Sequence, residues 1–159
     1  MGSTKKQNVS VRMSRSDLKK IKEIAKRLQV RESDVFRFAV RSSLAKLTPL
    51  HDSEIAGKGL VAVFIEHGSE LTSFFELDSE KLDAIINGGV EDPINKVEKT
   101  DIDLMVMSGL QENYLTMRLQ ELITGDNEGM TATALLRQYL VKKYFQMGDD
   151  EMNTVKNTA

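Results

Sequence analysis

The chain has 159 residues with 22 Lys and Arg, 24 Asp and Glu, 2 His and no Cys. That length suits one domain or two small ones, and the absence of Cys excludes a disulfide scaffold and any cysteine-held zinc site. No apolar run approaches the ~20 residues of a membrane helix, and the N-terminus lacks the apolar stretch of a signal peptide, so the expectation is a soluble cytoplasmic protein without a membrane partner.

The net charge of −2 conceals a division. Residues 1–47 hold 13 Lys and Arg against 4 Asp and Glu, a balance of +9, whereas residues 48–159 hold 9 against 20, a balance of −11. A basic module joined to an acidic one points to an anionic partner for the first part, nucleic acid or an anionic membrane. Met1-Gly2-Ser3-Thr4 starts like a myristoylation signal, but Lys6 stands where that signal needs Ser or Thr.

In Asn8–Met13, Val9, Val11 and Met13 alternate with Asn8, Ser10 and Arg12, which predicts a half-buried strand that must find a partner. Ser14 and Asp17 have capping-box spacing. Leu18, Ile21, Ala25 and Leu28 then recur at helical spacing, with Lys19, Lys20, Lys22, Lys26 and Arg27 on the polar side. A second helix is expected from Glu32–Asp34 to about Leu47, with Phe36, Ala39 and Val40 on its inner face. So small a module buries little core by itself, so its surplus apolar surface asks for a second copy.

Strand, capped helix, short turn and helix over about residues 5–47 resemble the ribbon–helix–helix family of Arc and MetJ type. The resemblance implies an intertwined dimer whose paired strands enter the DNA major groove. Asn8, Ser10 and Arg12 would then read base edges: Arg suits guanine, Asn suits adenine, and Ser suits either. Val9, Val11, Met13, Leu18, Ile21, Phe36, Ala39 and Val40 would form the dimer core. Phosphate would be held by Lys5, Lys6 and the start of the second helix at Arg31, Glu32 and Ser33. The chain departs from the family pattern there. Gln29 stands in place of the usual Gly, Arg31 in place of the usual Ser or Thr cap, and Glu32 and Asp34 oppose an anion.

Residues 48–59 read as a linker around Pro49, Gly57 and Gly59. Residues 60–147 read as a small acidic α+β domain for oligomerisation or sensing, and residues 148–159 as a disordered tail. The apolar run Leu60–Ile65 predicts a buried strand, His67-Gly68-Ser69 a turn, and Leu71–Leu77 a partner strand or a helix. Asp78 or Ser79 would cap a short helix over Glu80–Asn87, closed by Gly88-Gly89, with a loop over Val90–Thr100. Ile102–Met107 predicts another strand and Ser108–Ile123 a helix, with Leu110, Tyr114, Leu115, Leu119 and Leu122 as its apolar positions. A last helix follows Thr131 or Thr133. Residues 102–145 thus repeat the order strand, helix, turn, helix, which chance similarity between helical hairpins also explains.

The fold class expected overall is α+β. His51 and His67, in the linker and a turn, form no metal pair, and no phosphate-binding loop or acid–base pair is singled out, so neither an enzyme nor a cofactor is expected. The functional expectation is a dimeric, sequence-specific DNA-binding transcriptional regulator, most simply a repressor. The second unit could join dimers into a higher oligomer. The alternatives are a plasmid or phage maintenance protein, as an antitoxin or partition factor, and a dimeric protein–protein adaptor.

Overall fold

The computed structural model describes residues 7–109, 112–125 and 127–146. They form helices α1 (Arg15–Leu28), α2 (Glu32–Lys46), α3 (Thr48–His51), α4 (Val61–Phe74), α5 (Ser79–Asn87), α6 (Lys99–Met107), α7 (Glu112–Leu122) and α8 (Ala132–Val141). Turns of 3-10 type lie at Gly57–Leu60 and Pro93–Asn95, and a π-type turn at Lys142–Gln146 follows α8. The chain divides into two units, residues 1–46 and 47–159.

No strand occurs among the described residues, so the expected α+β class and the ribbon within it are overturned. In the first unit Asn8–Met13 form no strand and are exposed throughout. Alternation prepares a segment for pairing but supplies no second strand. Ser14 caps α1, accepting from the Asp17 amide at 3.1 Å, while its hydroxyl donates to the Asp17 carboxylate at 2.7 Å. The helix ends in a left-handed residue, Gln29. The Val30 amide donates to the Ala25 carbonyl and the Gln29 amide to the Lys26 carbonyl, a double closure of the last turn. Helices α1 and α2 pack on each other, yet Ala25 alone is buried among the unit's described residues. The expected dimer-core positions are open in the single chain. Val9 and Val11 are 84% and 76% exposed; Met13, Leu18, Ala39 and Val40 are exposed too, and Ile21 and Phe36 are half-buried.

The second unit holds one apolar core. Its centre is α6, which packs against α4, α5, α7 and α8. Ile102, Leu104, Met105 and Val106 are all buried there and Asp103 is half-buried, so this stretch lacks the wide exposed polar face of a surface helix. That is why Ile102–Met107 imitates a strand in sequence, and with it falls the repeat suggested for residues 102–145. Leu60–Ile65 likewise belongs to a 3-10 turn and the start of α4. Val61, Val63, Phe64, Gly68, Leu71 and Thr72 are buried, and all but Val63 fall at offsets 0, 3, 7, 10 and 11, the spacing of a helix face. His67-Gly68-Ser69 sits inside this helix, where the Thr72 hydroxyl donates to the Gly68 carbonyl at 2.8 Å.

Residues 48–59 are part of the second unit: Ile55 packs against the core and Gly57 is buried. Asp78 caps α5 and Thr131 caps α8 through their side chains. On α7, Leu115 and Leu119 are buried whereas Tyr114 and Leu122 are exposed. Leu110 and the tail 148–159 lie outside the described residues.

A buried carboxylate ties α6 to the C-terminal end of α8. Asp101 is fully buried. It accepts from the Tyr139 hydroxyl at 2.8 Å and the Tyr144 hydroxyl at 2.5 Å, and pairs with the Lys143 ammonium at 2.7 Å. Lys143 also reaches Glu98 at 2.8 Å. Burial pushes Tyr139 and Tyr144 above the ordinary tyrosine pKa, and hydrogen bonding to Asp101 pushes the same way. Burial by itself would lower Lys143, but its hydrogen bonds to Asp101 and Glu98 outweigh that and raise it.

Candidate nucleic-acid interface

The basic surface of the first unit follows from helical geometry. Arg15, Lys19, Lys22 and Lys26 stand at i, i+4, i+7 and i+11, so they form one row along α1, all exposed. The row is roughly 16 Å long at 1.5 Å per residue. One DNA strand carries a phosphate every ~3.4 Å of helix axis, so the row spans several phosphates. Leu18, Ile21 and Ala25 lie on a different face of the same helix, which leaves the cations clear of the α1–α2 contact. Lys19 lies 3.9 Å from Glu23 and Lys20 3.7 Å from Asp17, both exposed pairs that bulk water largely screens. Arg12, Arg15, Lys22, Lys26, Arg27, Arg41 and Lys46 have no ion-pair partner among the described residues.

Asn8, Ser10 and Arg12, the expected base readers, are exposed in the segment that leads into this row. Lys5 and Lys6 lie outside the described residues. Arg31, Glu32 and Ser33 are exposed at the start of α2, but the helix end already has its anion. The Asp34 carboxylate accepts from the Arg31 amide at 3.3 Å, from Arg31 Nε at 3.1 Å and from Arg37 Nη1 at 2.9 Å. Its bond to the Arg31 amide is the acidic half of a capping box, made without the Ser or Thr half. The Arg31 side-chain hydrogen bond holds the Asp34 carboxyl below its ordinary pKa, against a weaker upward push from desolvation. Asp34 therefore sets a negative charge at this helix start and pairs with two arginines.

Comparison with protein-family models, curated proteins and solved structures finds no match.

In the second unit a shallow cavity of about 250 Å³ lies between α4 and α8, lined among others by Glu66, His67, Ser69, Thr133 and Arg137. Glu66 and Arg137 pair across it. The cavity is below the ~300 Å³ at which small-molecule pockets usually begin. His51 lies in α3 and His67 in α4, neither in the loops where the sequence placed them. Among the described residues no group of three or more His, Asp and Glu could hold a metal ion. No helix among them is long and apolar enough to cross a membrane.

Proposed function

We propose that the protein is a sequence-specific DNA-binding transcriptional regulator that acts as a dimer through its first unit. The row of cations on α1, continuous with the exposed Asn8, Ser10 and Arg12, is the observation that carries this reading. Lysines and arginines in such a row neutralise phosphate and release counterions, which supplies affinity without sequence preference. The arm adds the chemistry of preference: Arg12 offers two donors to guanine, and Asn8 offers a donor and an acceptor to adenine.

A dimer is supported by the exposed apolar residues of the same unit. Ile24, Leu28, Val30, Phe38 and Leu44 are exposed and, among the unit's described residues, only Ala25 is buried, which is too little core for an independent fold. A second copy is the simplest cover for that surface. In this reading the helical hairpin and its arm carry the DNA contact, and no strand is required of the single chain.

DNA bound by the full chain should be selected from a random pool at fixed salt. Arg12→Ala is expected to weaken the selected site by about 1–3 kcal/mol and non-specific DNA by less. Unchanged affinity for the selected site would refute base reading by the arm.

A further inference from the structure

Two phenylalanines at the end of α4 face solvent side by side. Phe74 is 79% exposed and Phe75 57%, with their rings edge-to-face at a centroid distance of 5.1 Å. They are held there by a hydrogen-bonded turn. The Phe75 amide donates to the Leu71 carbonyl and the Leu77 amide to the Thr72 carbonyl, while Glu76 takes a left-handed backbone angle, φ 50°. Leu71 and Thr72 on one side are buried, and Leu77 on the other packs against the core. The chain keeps an unfavourable angle at a non-glycine residue in order to turn there, and in doing so leaves two aromatic rings in water.

The charge around the pair has one sign. Glu70 lies one helical turn before Phe74 on the same face, and Glu76, Asp78 and Glu80 follow. Residues 66–92 hold 8 Asp and Glu against a single Lys or Arg, Lys81. Lys81 is drawn back onto the Glu76 carbonyl at 3.3 Å and Asp78 at 3.9 Å.

We propose that Phe74 and Phe75, with Glu70, Glu76 and Asp78, form a docking surface for a basic amphipathic segment of a partner protein. Charge complementarity decides the occupant. Nucleic acid and anionic lipid would meet carboxylates of their own sign. A second copy in a symmetric dimer would set this acidic patch against itself, and like charges across an interface are costly. A helix with Leu on one face and Lys on the other covers the rings and neutralises the carboxylates together. The inference does not depend on DNA binding by the first unit.

The test uses the full chain, isotopically labelled, and a synthetic 14-residue peptide of Lys and Leu at amphipathic helical spacing. Amide shifts should concentrate in residues 70–81. A peptide with Ser in place of Leu should bind at least tenfold more weakly, and so should the Lys–Leu peptide to the double variant Phe74→Ser, Phe75→Ser. Both side chains are exposed, so the variant should keep the wild-type circular dichroism; if it does not, the shift map and the Ser peptide still decide. Shifts centred outside residues 70–81, or equal binding of the Ser peptide, would overturn the proposal. So would self-association of the wild type in ultracentrifugation that the double variant abolishes, because the occupant would then be a second copy.

Discussion

Gln29 and Gly57 share one backbone angle, φ 56°, with a side chain at the first and none at the second. At Gln29 the side chain stands against the strain of a left-handed residue, while the hydrogen bonds that close α1 hold the angle. Gln29→Gly should relieve that strain and stabilise the first unit by about 1 kcal/mol. At Gly57 a Cβ would come within 2.0 Å of the Asn95 carbonyl oxygen, so both the angle and the space forbid one. Gly57→Ala should destabilise the second unit by about 2–4 kcal/mol. Denaturant titration of each variant checks both signs. The absence of Gly at position 29 is legible in sequence as a departure from the family pattern, but the angle that Gln29 accepts is not. Asp34 is a residue-scale case with a functional sign. Asp34→Asn removes the anion that occupies Arg31 and Arg37, so DNA affinity should rise. The salt slope should steepen by up to about 0.9 for each arginine that gains a phosphate. Titrations of one DNA at several salt concentrations measure it, and a lower affinity in the variant would mean that Asp34 positions the arginines for DNA.

At the scale of elements, α6 and the end of α8 are locked through Asp101, Lys143, Tyr139 and Tyr144. The sign of the pH dependence follows from the shifts. Lys143 and both tyrosines have folded-state pKa values raised above their ordinary values of 10.5 and 10.0. Their contribution is therefore fully present below those ordinary values and is lost as pH rises through the folded ones. The melting temperature of the second unit should hold up to pH ~10 and fall above it. In Tyr144→Phe the fall should be shallower; an equal fall would show that the network does not set alkaline stability. Asp101→Asn leaves Lys143 facing neutral groups on that side and should cost about 3 kcal/mol at neutral pH. The sequence marks Asp101 only as an acid beside an apolar run. Its partners lie 38 to 43 positions away on another helix, a separation no local pattern spans.

For the whole molecule, the charge division falls close to the boundary between the two units. If DNA is held by the cations of the first unit, deleting residues 47–159 should leave the slope of log K against log salt nearly intact, because each contact contributes about −0.9. Affinity itself could fall through lost effective concentration if the second unit joins dimers, or rise if its −11 balance repels DNA. These outcomes separate an oligomerising unit from a merely acidic one. A slope that collapses on deletion would place phosphate contacts in the second unit and break the assignment.

The capped start of α1 and the spacing that makes it amphipathic were written in local sequence, because each depends on residues a few positions apart; the caps of α5 and α8 were narrowed there to Asp78 or Ser79 and Thr131 or Thr133, and the fold took Asp78 and Thr131. The choice between strand and helix at Leu60–Ile65 and Ile102–Met107 was not. A run of about six mostly apolar residues carries too few polar positions to reveal its period, so only its packing among the other helices decides it. Asn8–Met13 shows the converse. Its alternation was plain, but a strand consists of hydrogen bonds to a second strand, and none forms within the described chain. What the tertiary structure alone decided was therefore which apolar runs became the core, which carboxylate was buried to lock it, and which aromatic pair was left in water.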